Sequence, residues 1–266
     1  MNRPRHTILD NKFYHIPSVF LPENLLREAR RQKDIQACPV PEICVLDPDG
    51  DLADYLIREK RAEKSNCWAC YHSDLYQFDL DGTIIGILPC IVGAPYAVLV
   101  AEQLFVSGCR LVISITSAGI INEPSEAKRF ALITEAVRDE GTSYHYLPKD
   151  NYASLAENLL APLSQIPQAL WFNAKSWTTD APYRETQASI DIMKTEGVSC
   201  VEMEAAALYA FATAKQKPVI CFAHLTNTMA QQEGDFEKGE HFGSLDTIQL
   251  LKKIIKAQGL LRNLPD

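Results

Sequence analysis

Beyond residue 40 the chain alternates short, nearly unbroken apolar runs with stretches in which apolar positions recur at helical spacing. The run "GTIIGILPCIVG" reads as a buried strand, and "APYAVLVAEQLFVSG" as a helix opened by Pro95 and closed by Gly108. "RLVISITSAG" is then a second strand ending in a glycine turn. Strand, helix and strand in this order form a β-α-β unit, and such a crossover joins parallel strands. "RFALITEAVRDEG" and "ALWFNAKSWTTD" continue as strands, with a helix expected near residues 152–161 between them. "RETQASIDIMKTEG" looks helical, "SCVEM" is a short strand, and "EAAALYAFATAK" is a helix of strong formers. "PVICFAHLTNT" gives a further strand and "SLDTIQLLKKIIKAQ" a last amphipathic helix. The alternation predicts an α/β fold, a three-layer α/β/α arrangement around a central mixed, largely parallel sheet. Residues 1–40 differ: they are polar, contain "PENLLREARRQK" and end at Pro39 and Pro41, so they read as an N-terminal arm before a single domain over 41–266.

Composition narrows the classes. With 266 residues and 47% apolar content, one large core is affordable in sequence terms. The net charge of −8 excludes the basic stripe of a nucleic-acid groove and attraction to an anionic membrane surface. No apolar run spans a bilayer, and the opening "MNRPRHTILDNK" has no apolar signal core, so the expected compartment is the cytoplasm. Cys44, Cys90, Cys200 and Cys221 sit in apolar strand-like runs, as free thiols of a reducing compartment do. In "CWACYH", Cys67, Cys70 and His72 have no second ligand pair at suitable spacing, so two structural thiols are expected there, with no metal and no cofactor.

One segment contradicts its surroundings. "SCVEMEAAALYAF" places Glu202 and Glu204 in an otherwise apolar stretch, where an unpaired carboxylate is costly. If "SCVEM" stays extended, both carboxylates share a face at the carboxyl end of a strand, the edge at which parallel sheets bind ligands. Glu204 would also lie near a helix N-terminus, which favours negative charge. Two readings stand: a glutamate that caps the helix, or a carboxylate that accepts from both hydroxyls of a vicinal diol such as ribose.

"VEMEAAALYAFA" resembles the signature helix of the nucleoside phosphorylase superfamily. Four further landmarks follow the family order from about Glu42 onward: "LDPDGDL", "LDGTIIGILPCIVGAPYAVLVAEQL", "GCRLVISITSAGI" and "TNTMAQQE". Their spacing is most similar to the uridine phosphorylase branch. The resemblance implies that Glu204 holds the ribose 2′ and 3′ hydroxyls, that Met203 packs on the sugar, and that Glu202 sits closer to the base. It makes Arg184, in "TTDAPYRE", the candidate for polarising a base carbonyl, and Asn227 the residue where purine-cleaving relatives carry a proton-donating aspartate. An amide can hydrogen-bond a leaving base but cannot protonate it. The Ser117-Ala118-Gly119 turn looks like the nucleosidase version of its loop, and His15 loosely resembles an arm histidine that reaches a neighbour's 5′-hydroxyl, or is a plain surface histidine.

The departures bear on the acceptor. Phosphorylases of the family hold phosphate with three arginines, and arginine's fork suits a dianion. In this chain those positions are Asp51, Gln77 and Ser114, while Gly50 is kept and Asp47 adds a carboxylate. A carboxylate ~4 Å from a dianion repels it by several kcal/mol at an effective dielectric near 20. Asp-Pro-Asp-Gly is also ordinary turn chemistry. The expectation is an enzyme that cleaves the N-glycosidic bond of a ribonucleoside with water as acceptor, Asp47 or Asp51 supplying negative charge or activating water. Two alternatives remain: a phosphorylase whose phosphate site is rebuilt from Arg58, Arg110 and His72, and a nucleoside-binding protein without catalysis. The implied partners are a small nucleoside and further copies of the chain in a dimer or hexamer, with no nucleic acid and no membrane.

Overall fold

The computed structural model describes residues 7–123, 128–166, 170–229 and 233–257. Within them one sheet of ten strands is covered by seven α-helices.

The first half of the chain builds an open wing. Helix α1 (Pro22–Lys33) leads to β1 (Ile43–Asp47), α2 (Asp51–Arg58) and the short edge strands β2 (Ala62–Lys64) and β3 (Tyr76–Leu80). Strand β4 (Thr83–Pro89), helix α3 (Ala94–Val106) and strand β5 (Leu111–Ile120) form the β-α-β unit expected from their spacing. β1 slots between β4 and β5 and is parallel to both, Val45 facing Ile87 on one side and Ile113 on the other. All five residues of β1 are buried, which is why "ICVLD" shows no alternation. β2 and β3 close this side by antiparallel pairing.

The second half closes on itself. It runs through β6 (Phe130–Asp139), β7 (Tyr152–Ser154), α4 (Glu157–Leu163), β8 (Trp171–Thr179), α5 (Gln187–Thr195), β9 (Cys200–Glu202), α6 (Ala205–Lys215), β10 (Val219–Asn227) and α7 (Ser244–Ile255). β5 pairs with β10, β10 with β6, β6 with β8, β8 with β9, and β9 returns to β5. Five strands therefore make a ring hung on the wing through β5. Local periodicity cannot reveal such a closure, because it depends on which distant strands meet.

α6 shows how the ring is held to its cover. Its alanines let the helix approach closely, and buried Tyr209 donates to the Ile133 carbonyl of β6 at 2.5 Å while accepting from the Cys221 N–H of β10 at 3.0 Å. One side chain thus pins the helix to two strands.

Three expectations change in detail. The stretch near residues 152–161 begins as strand β7, and its helix starts only at Glu157. Part of the arm is a packed helix, since α1 buries Leu26 and Ala29 against Ala69. The reading of Cys67 as a free thiol is corrected: it is joined to Cys38 in a disulfide that ties the end of the arm to the wing. Only neighbours within "CWACYH" were candidates from spacing, and the partner lies 29 residues upstream, delivered by the docking of α1. Cys44, Cys70, Cys90, Cys109, Cys200 and Cys221 are free. Among the described residues no helix is long and apolar enough to cross a membrane, and no cluster of potential metal ligands occurs.

Candidate active site

Strands β1, β5, β9 and β10 bring their carboxyl-terminal ends toward one region, and each delivers a polar group from an apolar run. β1 ends at Asp47, after which the chain turns through Pro48 and Asp49 to Gly50. Gly50 has φ of +80°, and a side chain there would also meet the Cys90 sulfur at 3.0 Å. Asp47 is buried and its Oδ2 accepts from the Ala53 N–H at 2.9 Å, inside the first turn of α2. Burial pushes the Asp47 carboxyl from an ordinary 3.8 up to about 7, aided by the charges of Asp49 and Asp51 and opposed by the Ala53 and Gly50 N–H groups.

Asp51 opens α2, and its carboxylate takes the Lys238 ammonium at 2.5 Å. The same ammonium lies 3.4 Å from Asp49. Asp49 in turn accepts from the Ser117 backbone N–H at 3.0 Å and from the Ser117 hydroxyl. A lysine 187 residues away from Asp51 therefore bridges Asp49 and Asp51 and offsets one charge of the pair. Arg58 and Arg110, candidates for rebuilding a phosphate site, instead lie beside Glu59 and Glu42.

The paired glutamates part company. β9 ends at Glu202, the chain bends at Met203, and Glu204 occupies the N-cap of α6, so the two carboxylates do not share a strand face. Glu202 turns back onto the fold: it accepts from the Ser176 and Thr178 hydroxyls at 2.9 and 2.5 Å, and from the Glu204 and Ala205 N–H groups at 2.7 Å each. Thr178 also accepts from the Ala206 N–H at 2.9 Å, so the first donors of α6 are satisfied. Glu202, expected nearer the base, is a helix-capping carboxylate. Burial pushes its pKa up, against the pull of those four donors.

Glu204 is also sealed from solvent but is far less provided for. Its Oε1 accepts from the Gly93 N–H at 2.7 Å, at the start of α3, and its Oε2 has a longer contact of 3.3 Å to the Met203 N–H. Burial and the charge of Glu202 push it from 4.5 up to about 8, opposed by the Gly93 N–H and the Thr116 hydroxyl. With four donors on Glu202 and fewer on Glu204, the shared negative charge rests on Glu202, and Glu204 holds a proton at neutral pH. Met203 lies half-buried between them.

Gly119 lies between Val201 of β9 and Asn227 of β10, where a side chain would meet the Met229 sulfur at 2.8 Å. The Asn227 amide donates to the Thr226 hydroxyl and accepts from the Met229 N–H. Arg184 is exposed in a short 3₁₀ turn after β8. Of the expected acceptor positions, Gln77 faces Glu63 across the β2–β3 pair at 3.0 Å, and Ser114 is buried in mid-β5 with its hydroxyl unpartnered among the described residues. His15 is exposed, and its neighbour Tyr14 donates to the Tyr144 carbonyl of the same chain. Of "TNTMAQQE", residues 230–232 lie outside the described residues.

Beside the acidic loop lies a void of about 20 Å³, lined by Asp47, Asp49, Asp51, Thr116, His224 and Phe242 among others. The segment closing it is strained, since His241 and Phe242 both adopt left-handed backbone, φ 49° and 56°. Lys238, Asp49, Thr116 and His224 were not singled out from sequence. For Thr116 and His224 the available signal was a polar residue interrupting a buried strand; Lys238 carried none. Larger clefts of about 580 and 620 Å³ lie between the arm and the body, and neither is lined by Glu204.

The sequence model of the family described as "Phosphorylase superfamily" matches residues 42–256, so the chain belongs to the phosphorylase superfamily. Among solved structures it is similar to a uridine phosphorylase from Vibrio fischeri ES114, at 19% identity and a TM-score of 0.65, over 85% of this chain and 93% of that one. It is also similar to an AMP nucleosidase from Bacteroides thetaiotaomicron VPI-5482, at 15% identity and a TM-score of 0.67, over 92% of this chain and 99% of that one. These likenesses concern the fold. No curated protein sequence matches the chain.

Proposed function

We propose that the protein cleaves the N-glycosidic bond of a ribonucleoside and passes the ribosyl group to water. The observation that carries this reading is the acceptor space: a void of about 20 Å³ walled by three aspartates, whose adjacent cation, Lys238, is already engaged by Asp49 and Asp51. Such a space holds one water, and it has neither the volume nor the free positive charge for a phosphate dianion. Glu204 takes the ribose diol. Two hydroxyl donors favour its carboxylate form, so a group protonated in the empty site becomes the negative charge an oxocarbenium-like sugar requires. Asp47, raised to about 7 by burial, is matched to accepting a proton from water near neutrality. Asn227 is suited to hydrogen-bonding the departing base.

The test is turnover of uridine, adenosine, inosine and AMP, with and without millimolar phosphate, assaying free sugar against sugar 1-phosphate. The expected result is free sugar from at least one of them, at a rate phosphate changes by less than about twofold. Saturable phosphate dependence with ribose 1-phosphate as product overturns the reading in favour of a phosphorylase. Binding without turnover would assign the protein to nucleoside recognition alone.

A further inference from the structure

His224 lies in β10, facing Ser117 of β5, and is only 5% exposed. Its ring stacks on Phe130 with centroids 4.8 Å apart, and its Nε2 has no hydrogen-bond partner among the described residues. Burial and the charge of Arg129 push its pKa down to about 4, with Lys238 acting the same way and Asp246 and Asp49 opposing, so the ring is neutral at physiological pH. An apolar stack needs no imidazole, and a buried nitrogen left unpaired is costly. The ring also borders the void that Asp47 and Thr116 line. That void is large enough for a water and polar enough to keep one, the condition under which buried waters persist.

We propose that His224 is an acceptor-site residue: together with Asp47 it seats a single water in this void, beneath the Glu204 clamp. Thr116 connects the two halves: it lines the void, and its hydroxyl, which donates to the Ser117 carbonyl, is near enough to Glu204 to lower its pKa. The seat rests on the hydrolytic reading for its role. In that role the water oxygen bonds to C1′ as the C1′–N bond breaks, the bonding pair leaving with the base. One water proton passes to the Asp47 carboxylate, the other stays on the new hydroxyl, and the base takes its proton from solvent. His224 then sets acceptor choice as well as rate, because its ring occupies volume that a larger nucleophile needs.

Two measurements test this. In a high-resolution crystal structure of the full chain, one ordered water is expected in the void, within about 3.2 Å of His224 Nε2 and of an Asp47 oxygen. A dry void, or a water that touches neither group, overturns the seat. The second measurement uses p-nitrophenyl β-ribofuranoside, whose leaving group departs without a proton, so the acceptor side is read alone. His224→Phe keeps the stack on Phe130 and removes the nitrogen. Its kcat should fall tenfold or more with KM changed by less than about threefold, while His224→Asn recovers part of the loss. His224→Ala in aqueous methanol should form methyl riboside, which the parent does not. Folding of each variant is checked by its melting curve, and the crystal result stands if a variant fails to fold. Full kcat in folded His224→Phe overturns the role. Phosphate-dependent turnover with the water in place overturns the hydrolytic reading and spares the seat; a dry void with phosphate-independent turnover does the reverse.

Discussion

Two carboxylate-rich regions of the protein are compensated in opposite ways. Around the acidic loop, Asp49 and Asp51 receive a lysine, and Ser117 adds two donors to Asp49. Around the clamp, Glu202 and Glu204 receive no cation among the described contacts; Glu202 is met by four neutral donors, and Glu204 is left with a raised pKa. The difference teaches where free energy is held in reserve. A group already neutralised by a partner has little left for a ligand, whereas an under-provided buried carboxylate gains from any ligand that brings donors. On the proposed reading the loop is closed to anions and the clamp is open to hydroxyls.

The most severe way to break the contrast is Glu204→Gln. The amide cannot carry the negative charge, and turnover of whichever ribonucleoside is active should fall by about a hundredfold or more in steady-state assays. The same variant sharpens the electrostatic side. Between pH 4.5 and about 8 the unfolded glutamate has lost its proton while the folded one retains it, so the parent loses stability as pH rises through that window. Asp47, raised to about 7, adds to the same slope. Melting curves should show Glu204→Gln more stable than the parent at pH 8, with the gap narrowing toward pH 5. A gap that widens toward pH 5 contradicts the protonated clamp.

Glu202→Ala attacks the fold instead. It strands the Glu204 and Ala205 N–H groups and two hydroxyls in the interior, and should cost about 3 kcal/mol in denaturant titration. A smaller loss of stability than that of a surface substitution would show that Glu202 is not the capping group. Lys238→Met leaves Asp49 and Asp51 facing each other without a counter-charge. Turnover is expected to drop about tenfold, through displaced acceptor geometry, with no gain in phosphate dependence. If phosphate dependence appears instead, the acidic loop does not exclude anions and the hydrolytic reading fails. Least of all should follow from Cys38→Ser: neither cysteine of the disulfide is among the hydrogen-bond partners of Glu204, so melting falls while turnover stays within about twofold.

The order of strands and helices was legible because parallel strands buried on both faces read as unbroken apolar runs, and the helices between them carry strong formers. The clamp was legible for the converse reason, that a carboxylate inside such a run needs a cause. Its division of labour was not. Which glutamate caps and which waits depends on a bend at Met203 and on Ser176 and Thr178, contributed by a strand distant in sequence. The acidic loop looked uncompensated because its cation, Lys238, belongs to a segment that folds over it from near the end of the chain. Long-range pairing of this kind leaves no mark on local pattern. The disulfide escaped for the same reason.

The ring of five strands has a consequence for how copies of this protein can meet. β5, β10, β6, β8 and β9 each have a neighbour on both sides, so none of them is an edge strand along its whole length. Along the described ladders the sheet runs out at β2 and β7, each only three residues long. Edges that short give an incoming strand little to template on, which guards against fibre-like stacking. Any association of two copies is thereby directed to side-chain surfaces, such as the exposed Val19 and Phe20 of the arm, rather than to an extension of the sheet.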